Sequence, residues 1–131
     1  MTLRCLIVDD SSSFLDAARA LLEHQGITVV GVATNGPDAL RRVRELRPDV
    51  TLLDIDLGGE SGFDIARRLS ADGGGTELSP VILISTRDEE DYADLIAMSP
   101  ALGFVPKAEL SAAGVRALLW GHGHPKGHLT V

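Results

Sequence analysis

Residues 49–69 read DVTLLDIDLGGESGFDIARRL, and their order of events sets the fold. An apolar run climbs to Asp54, dissolves into Gly58 and Gly59, and gives way from about Ser61 to Ala71 to apolar residues spaced three and four apart. The first part, DVTLLD (49–54), reads as a buried strand and the last as an amphipathic helix.

The same alternation extends in both directions. Upstream, LRCLIV (3–8) is a strand pattern, and Phe14, Leu15, Ala18, Leu21 and Leu22 then share one helical face up to Gly26. ITVVGVA (27–33) is the next strand. Pro37 suits the first turn of a helix carrying Leu40, Val43 and Leu46, which Pro48 closes. Downstream, the loop DGGGTELSP (72–80) leads to the strand VILIS (81–85), and a helix near 88–98 carries Tyr92, Leu95 and Ile96. A short fifth strand, GFVP (103–106), and a last helix over about 109–120 complete the series. Near-continuous apolar strands with helices between them predict an α/β fold, a five-stranded parallel sheet doubly wound with helices on both faces. A closed eight-fold barrel needs about twice this chain.

Composition narrows the function. At 131 residues, 44% hydrophobic and 24% charged, the chain has the size and balance of one globular domain. No apolar run approaches the roughly 20 residues of a bilayer span, and MTLRCLIVDD turns acidic too early for a secretory signal, so a cytoplasmic location and no membrane association are expected. Cys5 stands alone inside a strand pattern and reads as a small buried side chain. The net charge of −7 repels phosphate backbones, which argues against direct nucleic-acid binding.

In open parallel sheets ligands bind outside the carboxyl ends of the strands. Here the first strand ends in Asp9 and Asp10, the third in Asp54, the fourth in Ser85 and Thr86, and Lys107 follows the fifth. Singly, each has a plain structural role: Asp10 or Ser11 as helix cap, Lys107 as a solvated cation. Together they put three carboxylates, a hydroxyl and an ammonium at one edge. Carboxylates about 4 Å apart repel by roughly 4 kcal/mol per pair at an effective dielectric of 20, so the cluster calls for positive charge. An all-oxygen set suits Mg²⁺, with Mn²⁺ as the alternative, and a hard cation beside a carboxylate and an ammonium is suited to phosphoryl chemistry.

LIVDDSSSFL, DVTLLDIDLGGESGFDIARRL, VILIST and GFVPK, in this order, resemble the receiver domain of bacterial response regulators over residues 3 to about 120. The resemblance implies a flavodoxin-like sheet of strand order 2-1-3-4-5 and a receiver domain over 1–120, with 121–131 as a flexible Gly/His tail. Asp54 matches the phosphoacceptor, Asp9 and Asp10 the metal-organising acids, and Asp56 the residue whose backbone carbonyl completes the metal site. Ser85 matches the hydroxyl that moves toward the phosphoryl group, Phe104 the switch aromatic that turns inward, and Lys107 the phosphate-pairing lysine. Asp56 and Arg87 match positions flanking the path of the hydrolytic water, where their opposite charges are expected to pair. The implied function is a phosphorylation-activated switch of a two-component phosphorelay, a signalling domain that assists its own phosphorylation and dephosphorylation rather than a metabolic enzyme. The implied partners are a sensor histidine kinase or phosphotransfer protein, and a downstream protein or second copy through the face of the fourth helix, fifth strand and fifth helix. GFVPKAEL resembles regulators whose receiver precedes a helix-turn-helix domain, whereas the Gly/His tail favours a stand-alone receiver. Gly58 replaces a common proline, which should loosen the loop, and Ala108 after Lys107 leaves that peptide's isomer open.

Other signals are weaker. DIDLG partly matches the motif of haloacid-dehalogenase-type phosphatases, an alternative with an Asp nucleophile, but Gly58 stands where Thr or Val belongs. An FMN phosphate at SSS (11–13) would be repelled by Asp9 and Asp10. GGG (73–75) lacks the Gly-Lys-Ser/Thr of a nucleotide loop. His122, His124 and His128 are interleaved with Gly and Pro, as in a disordered tail rather than a metal site.

Overall fold

The computed structural model describes residues 2–71 and 80–123. Strands β1 (Arg4–Val8), β2 (Thr28–Ala33), β3 (Val50–Asp54), β4 (Val81–Ser85) and β5 (Gly103–Pro106) form one sheet. Its order is β2-β1-β3-β4-β5 and every pairing is parallel, which is the predicted doubly wound topology. Helices α1 (Ser12–His24), α2 (Gly36–Leu46), α3 (Gly62–Ala71), α4 (Ala93–Met98) and α5 (Ala112–Gly123) cover the two faces.

The continuous apolar strands are explained by two cores, because successive side chains of a strand point to opposite faces. Cys5 and Ile7 of β1 face a core shared with Leu15, Ala18 and Leu22 of α1 and Val115 of α5. Leu6 and Val8 face the other, with Val43 of α2, Ile65 and Leu69 of α3, and Phe104 of β5. Leu83, fully buried in the second core, is a position where truncation to alanine costs about 2–5 kcal/mol. Local signals start the helices. The Ser11 side chain accepts from the Phe14 amide and caps α1, while Asn35 caps α2 with a proline in its first turn. Ser11, not Asp10, is thus the cap, and Asp10 is exposed.

Four expectations need correction. The helix near 88–98 is a 3₁₀ turn, Glu89–Tyr92, followed by the six-residue α4; four consecutive acids, Asp88 to Asp91, and one narrow apolar stripe give it little to bury, and Leu95 is exposed. Leu21 sits at the surface, since the neighbouring Leu22 takes the core side and consecutive helical residues diverge by about 100°. The last helix begins at Ala112, after a 3₁₀ turn at Lys107–Glu109, and runs to Gly123, so residues 121–123 extend the helix beyond the expected domain limit at 120. The loop after Asp54 is not loosened by Gly58. Asp56–Leu57 and Glu60–Ser61 pair as a two-residue hairpin around Gly58-Gly59, with Gly58 at φ +61, a conformation closed to proline. The described peptide bonds, Lys107–Ala108 included, are all trans. No described helix is long and apolar enough to cross a membrane. Residues 73–75, His124 and His128 lie outside the described residues.

Candidate functional site

Because all five strands run the same way, their carboxyl ends meet at one edge. Asp9, one residue past β1, is fully buried; its Oδ1 accepts from the Ser11 amide at 2.8 Å. Asp54, the last residue of β3, is 5% exposed, and its Oδ1 accepts from the Asp56 amide at 3.1 Å. Lys107, just past β5, joins the two: its Nζ lies 2.5 Å from Asp9 Oδ2 and 3.2 Å from Asp54 Oδ2. The ammonium also stands 4.5 Å from the centroid of the Phe14 ring, a cation–π contact that holds it over the site. Ser85, the buried last residue of β4, accepts from the Arg87 amide at 3.0 Å through its hydroxyl oxygen, leaving the hydroxyl hydrogen available.

Carboxylate oxygens of Asp9, Asp10 and Asp54 all lie within 4.8 Å of one another. One ammonium does not balance three carboxylates. Burial raises the Asp54 carboxyl from 3.8 to about 6; the Asp56 amide opposes this, Asp9 adds to it, and Lys107 opposes it. Burial disfavours the Lys107 charge too, but Asp9 and Asp54 outweigh it and raise the lysine above its ordinary value. An oxygen-only donor set with excess negative charge, buried at Asp9 and Asp54 and open to solvent at Asp10, fits one small hard cation such as Mg²⁺. The arrangement is suited to nucleophilic attack by a carboxylate on a phosphoryl group, with the lysine offsetting the charge.

The surrounding loop is built around this edge. A Cβ at Gly62 would lie 2.3 Å from the Asp54 carbonyl oxygen and 2.7 Å from Ile55 Cα, so only glycine lets α3 begin this close to the acceptor strand. Glu60 Oε1 accepts from the Gly36 amide at 2.8 Å, tying the hairpin to the start of α2.

Not every anticipated contact forms. Asp56 does not pair with Arg87; its Oδ2 accepts from the Tyr92 hydroxyl at 3.2 Å, and among the described residues Arg87 makes no ion pair. Tyr92 also packs on Phe63, ring centroids 5.9 Å apart, and its phenol is raised by partial burial and by Asp56. Phe104, expected to turn inward on switching, is already 9% exposed in the second core. Tyr92 and Glu60 were missed as site residues. The one available signal was a lone tyrosine inside the acidic run 88–94.

A family model described as the response regulator receiver domain matches residues 5–118. The chain is 41% identical over 87 residues to protein PilH of Pseudomonas aeruginosa, covering 66% of this chain and 70% of PilH. It is 38% identical over 127 residues to the DNA-binding response regulator MtrA of Mycobacterium tuberculosis, covering 91% of this chain and 51% of MtrA. The chain thus spans about half the length of MtrA. Among solved structures, the signal receiver domain of the response regulator NarL from Mycobacterium tuberculosis superposes with TM-score 0.75 at 27% identity, over 91% of this chain and 98% of that one. A two-component response regulator of the LuxR family from Aurantimonas gives TM-score 0.80 at 27% identity, over 92% and 87%. The comparisons give no support to a haloacid-dehalogenase-type phosphatase.

Proposed function

We propose that this chain, which belongs to the response regulator receiver domain family, is switched by phosphorylation of Asp54. The observation that carries this reading is the Lys107 ammonium held between Asp9 and Asp54, at 2.5 and 3.2 Å, at the carboxyl edge of the sheet. In the proposed reaction, a phosphohistidine of a sensor kinase or phosphotransfer protein enters that edge. The ionised Asp54 carboxylate attacks phosphorus, an oxygen–phosphorus bond forms, and the phosphorus–nitrogen bond to the imidazole breaks. The released imidazole takes a proton from solvent. Lys107 moves from carboxylate to phosphoryl oxygen, and the Ser85 hydroxyl donates to another. Asp9, Asp10, Asp54 and the Asp56 carbonyl would hold Mg²⁺ or Mn²⁺, which when bound neutralises phosphoryl charge. The same groups are proposed to assist hydrolysis of the acyl phosphate.

The signal is a changed surface rather than a released product. With Phe104 already covered, the groups free to respond are Ser85, Lys107 and the Asp56–Tyr92 pair leading to α4. We place the output on α4, β5 and α5, toward a protein partner or a second copy in the cytoplasm, without direct contact to nucleic acid. The test is labelling by acetyl phosphate: wild type should take up one acid-stable, hydroxylamine-labile phosphate per chain, and Asp54→Asn none. Full labelling of the variant would place the acceptor elsewhere.

A further inference from the structure

Beside the phosphorylation site, a groove of about 350 Å³ runs between the Gly58–Gly59 turn and α4. Its lining includes the apolar residues Ile55, Phe63 and Leu95 and the polar residues Asp56, Glu60 and Tyr92. Leu95 is 51% exposed, and Met98, one turn along α4, is 82% exposed, so apolar surface continues out of the groove. The surroundings are mainly negative, although the charge of Arg87 also reaches Tyr92. Asp88, Glu89, Glu90, Asp91 and Asp94 are exposed, and among the described residues none of them is in an ion pair. Such a surface repels an acidic partner, and a purely apolar one would leave its carboxylates unmatched. The volume is at the small end for binding pockets and suits an anchoring side chain or two rather than a folded element.

We infer that this groove docks a protein segment that carries an arginine beside a leucine-like side chain. The apolar group packs against Phe63 and Leu95, and the guanidinium takes the carboxylates of Asp56 and Glu60. Asp56 now accepts from a single neutral phenol at 3.2 Å, whereas a guanidinium brings a full positive charge and two parallel N–H donors to the carboxylate, so the arginine displaces Tyr92. The Asp56 amide donates to Asp54 Oδ1, which makes docking sensitive to the state of the acceptor. That coupling, unlike the docking itself, rests on the phosphoreceiver reading.

The test uses the full ¹⁵N-labelled chain and two capped peptides, acetyl-Leu-Arg-Ala-Leu-amide and its acetyl-Leu-Glu-Ala-Leu-amide counterpart. The arginine peptide should shift amides of residues 55–61 and 92–95, bind about tenfold more tightly than the glutamate peptide, and weaken as salt is added. Glu60→Gln keeps an acceptor for the Gly36 amide while removing the charge. Combined with Leu95→Ser, it should weaken binding about tenfold while amide dispersion stays native. No binding at millimolar peptide, shifts mapping elsewhere, equal binding of the glutamate peptide, or undiminished binding by the double variant would each overturn the inference. Concentration-dependent broadening of the same amides without peptide would assign the groove to a second copy, and so overturn it too. Acetyl phosphate labelling of the same samples reports separately on Asp54.

Discussion

Neutralising the proposed acceptor should stabilise the metal-free protein, and the gain should depend on pH. Asp54 is 5% exposed, and its carboxyl is raised from 3.8 to about 6, chiefly by burial. A displacement of that size corresponds to on the order of 3 kcal/mol against the ionised form. Asp54→Asn removes the charge but keeps an oxygen for the Asp56 amide, and Lys107 retains Asp9 at 2.5 Å. Allowing for the lost contact to Lys107, a net gain of about 1–3 kcal/mol is expected, or roughly 3–10 °C in Tm. The sign follows from the raised carboxyl. Wild type has the full benefit of a protonated Asp54 below 3.8 and loses it as pH rises through about 6, whereas asparagine does not titrate. The variant's advantage should open between about pH 4 and 6 and level off above it. Urea unfolding in EDTA across that range measures it. A variant no more stable than wild type at neutral pH, or an advantage that ignores pH, would refute the reasoning.

Asp10→Ala should leave metal-free stability unchanged or improved, but lose most of the Mg²⁺-dependent rise in melting temperature, which for wild type at a hundredfold excess over Kd is worth about 2.7 kcal/mol. Gly62→Ala forces a methyl against the Asp54 and Ile55 backbone and should cost about 1–3 kcal/mol in chemical denaturation while slowing acetyl phosphate labelling. Tyr92→Phe keeps the contact with Phe63 but frees the Asp56 carboxylate to hydrogen-bond a hydrolytic water. It should therefore shorten the lifetime of the labelled protein several-fold at a stability cost within about 1 kcal/mol. Arg87→Ala, which breaks no ion pair among the described residues, should leave both quantities unchanged.

The sheet and the positions of its terminal acids were legible because their signals are local. Strands covered on both faces must be apolar at every position, so Leu52, Leu53 and Asp54 mark both a strand and its end within three residues. The acids, Ser85 and Lys107 could be assigned to one edge as soon as the sheet was parallel. α4 was less legible, since a six-residue helix with a narrow apolar stripe and no buried residue differs little in pattern from a longer one. Contacts between distant segments were not legible at all. Nothing near Asp56 in sequence points to Tyr92, 36 residues away, and nothing near Gly36 points to Glu60. The need for glycine at 62 depends on an approach between backbones, and Phe104's inward packing depends on space left by neighbouring elements. Periodicity along the chain thus determined which residues reach the site edge. Only tertiary packing decided which of them touch, because a hydrogen bond or ion pair is a matter of a few ångströms between segments whose separation no local pattern encodes.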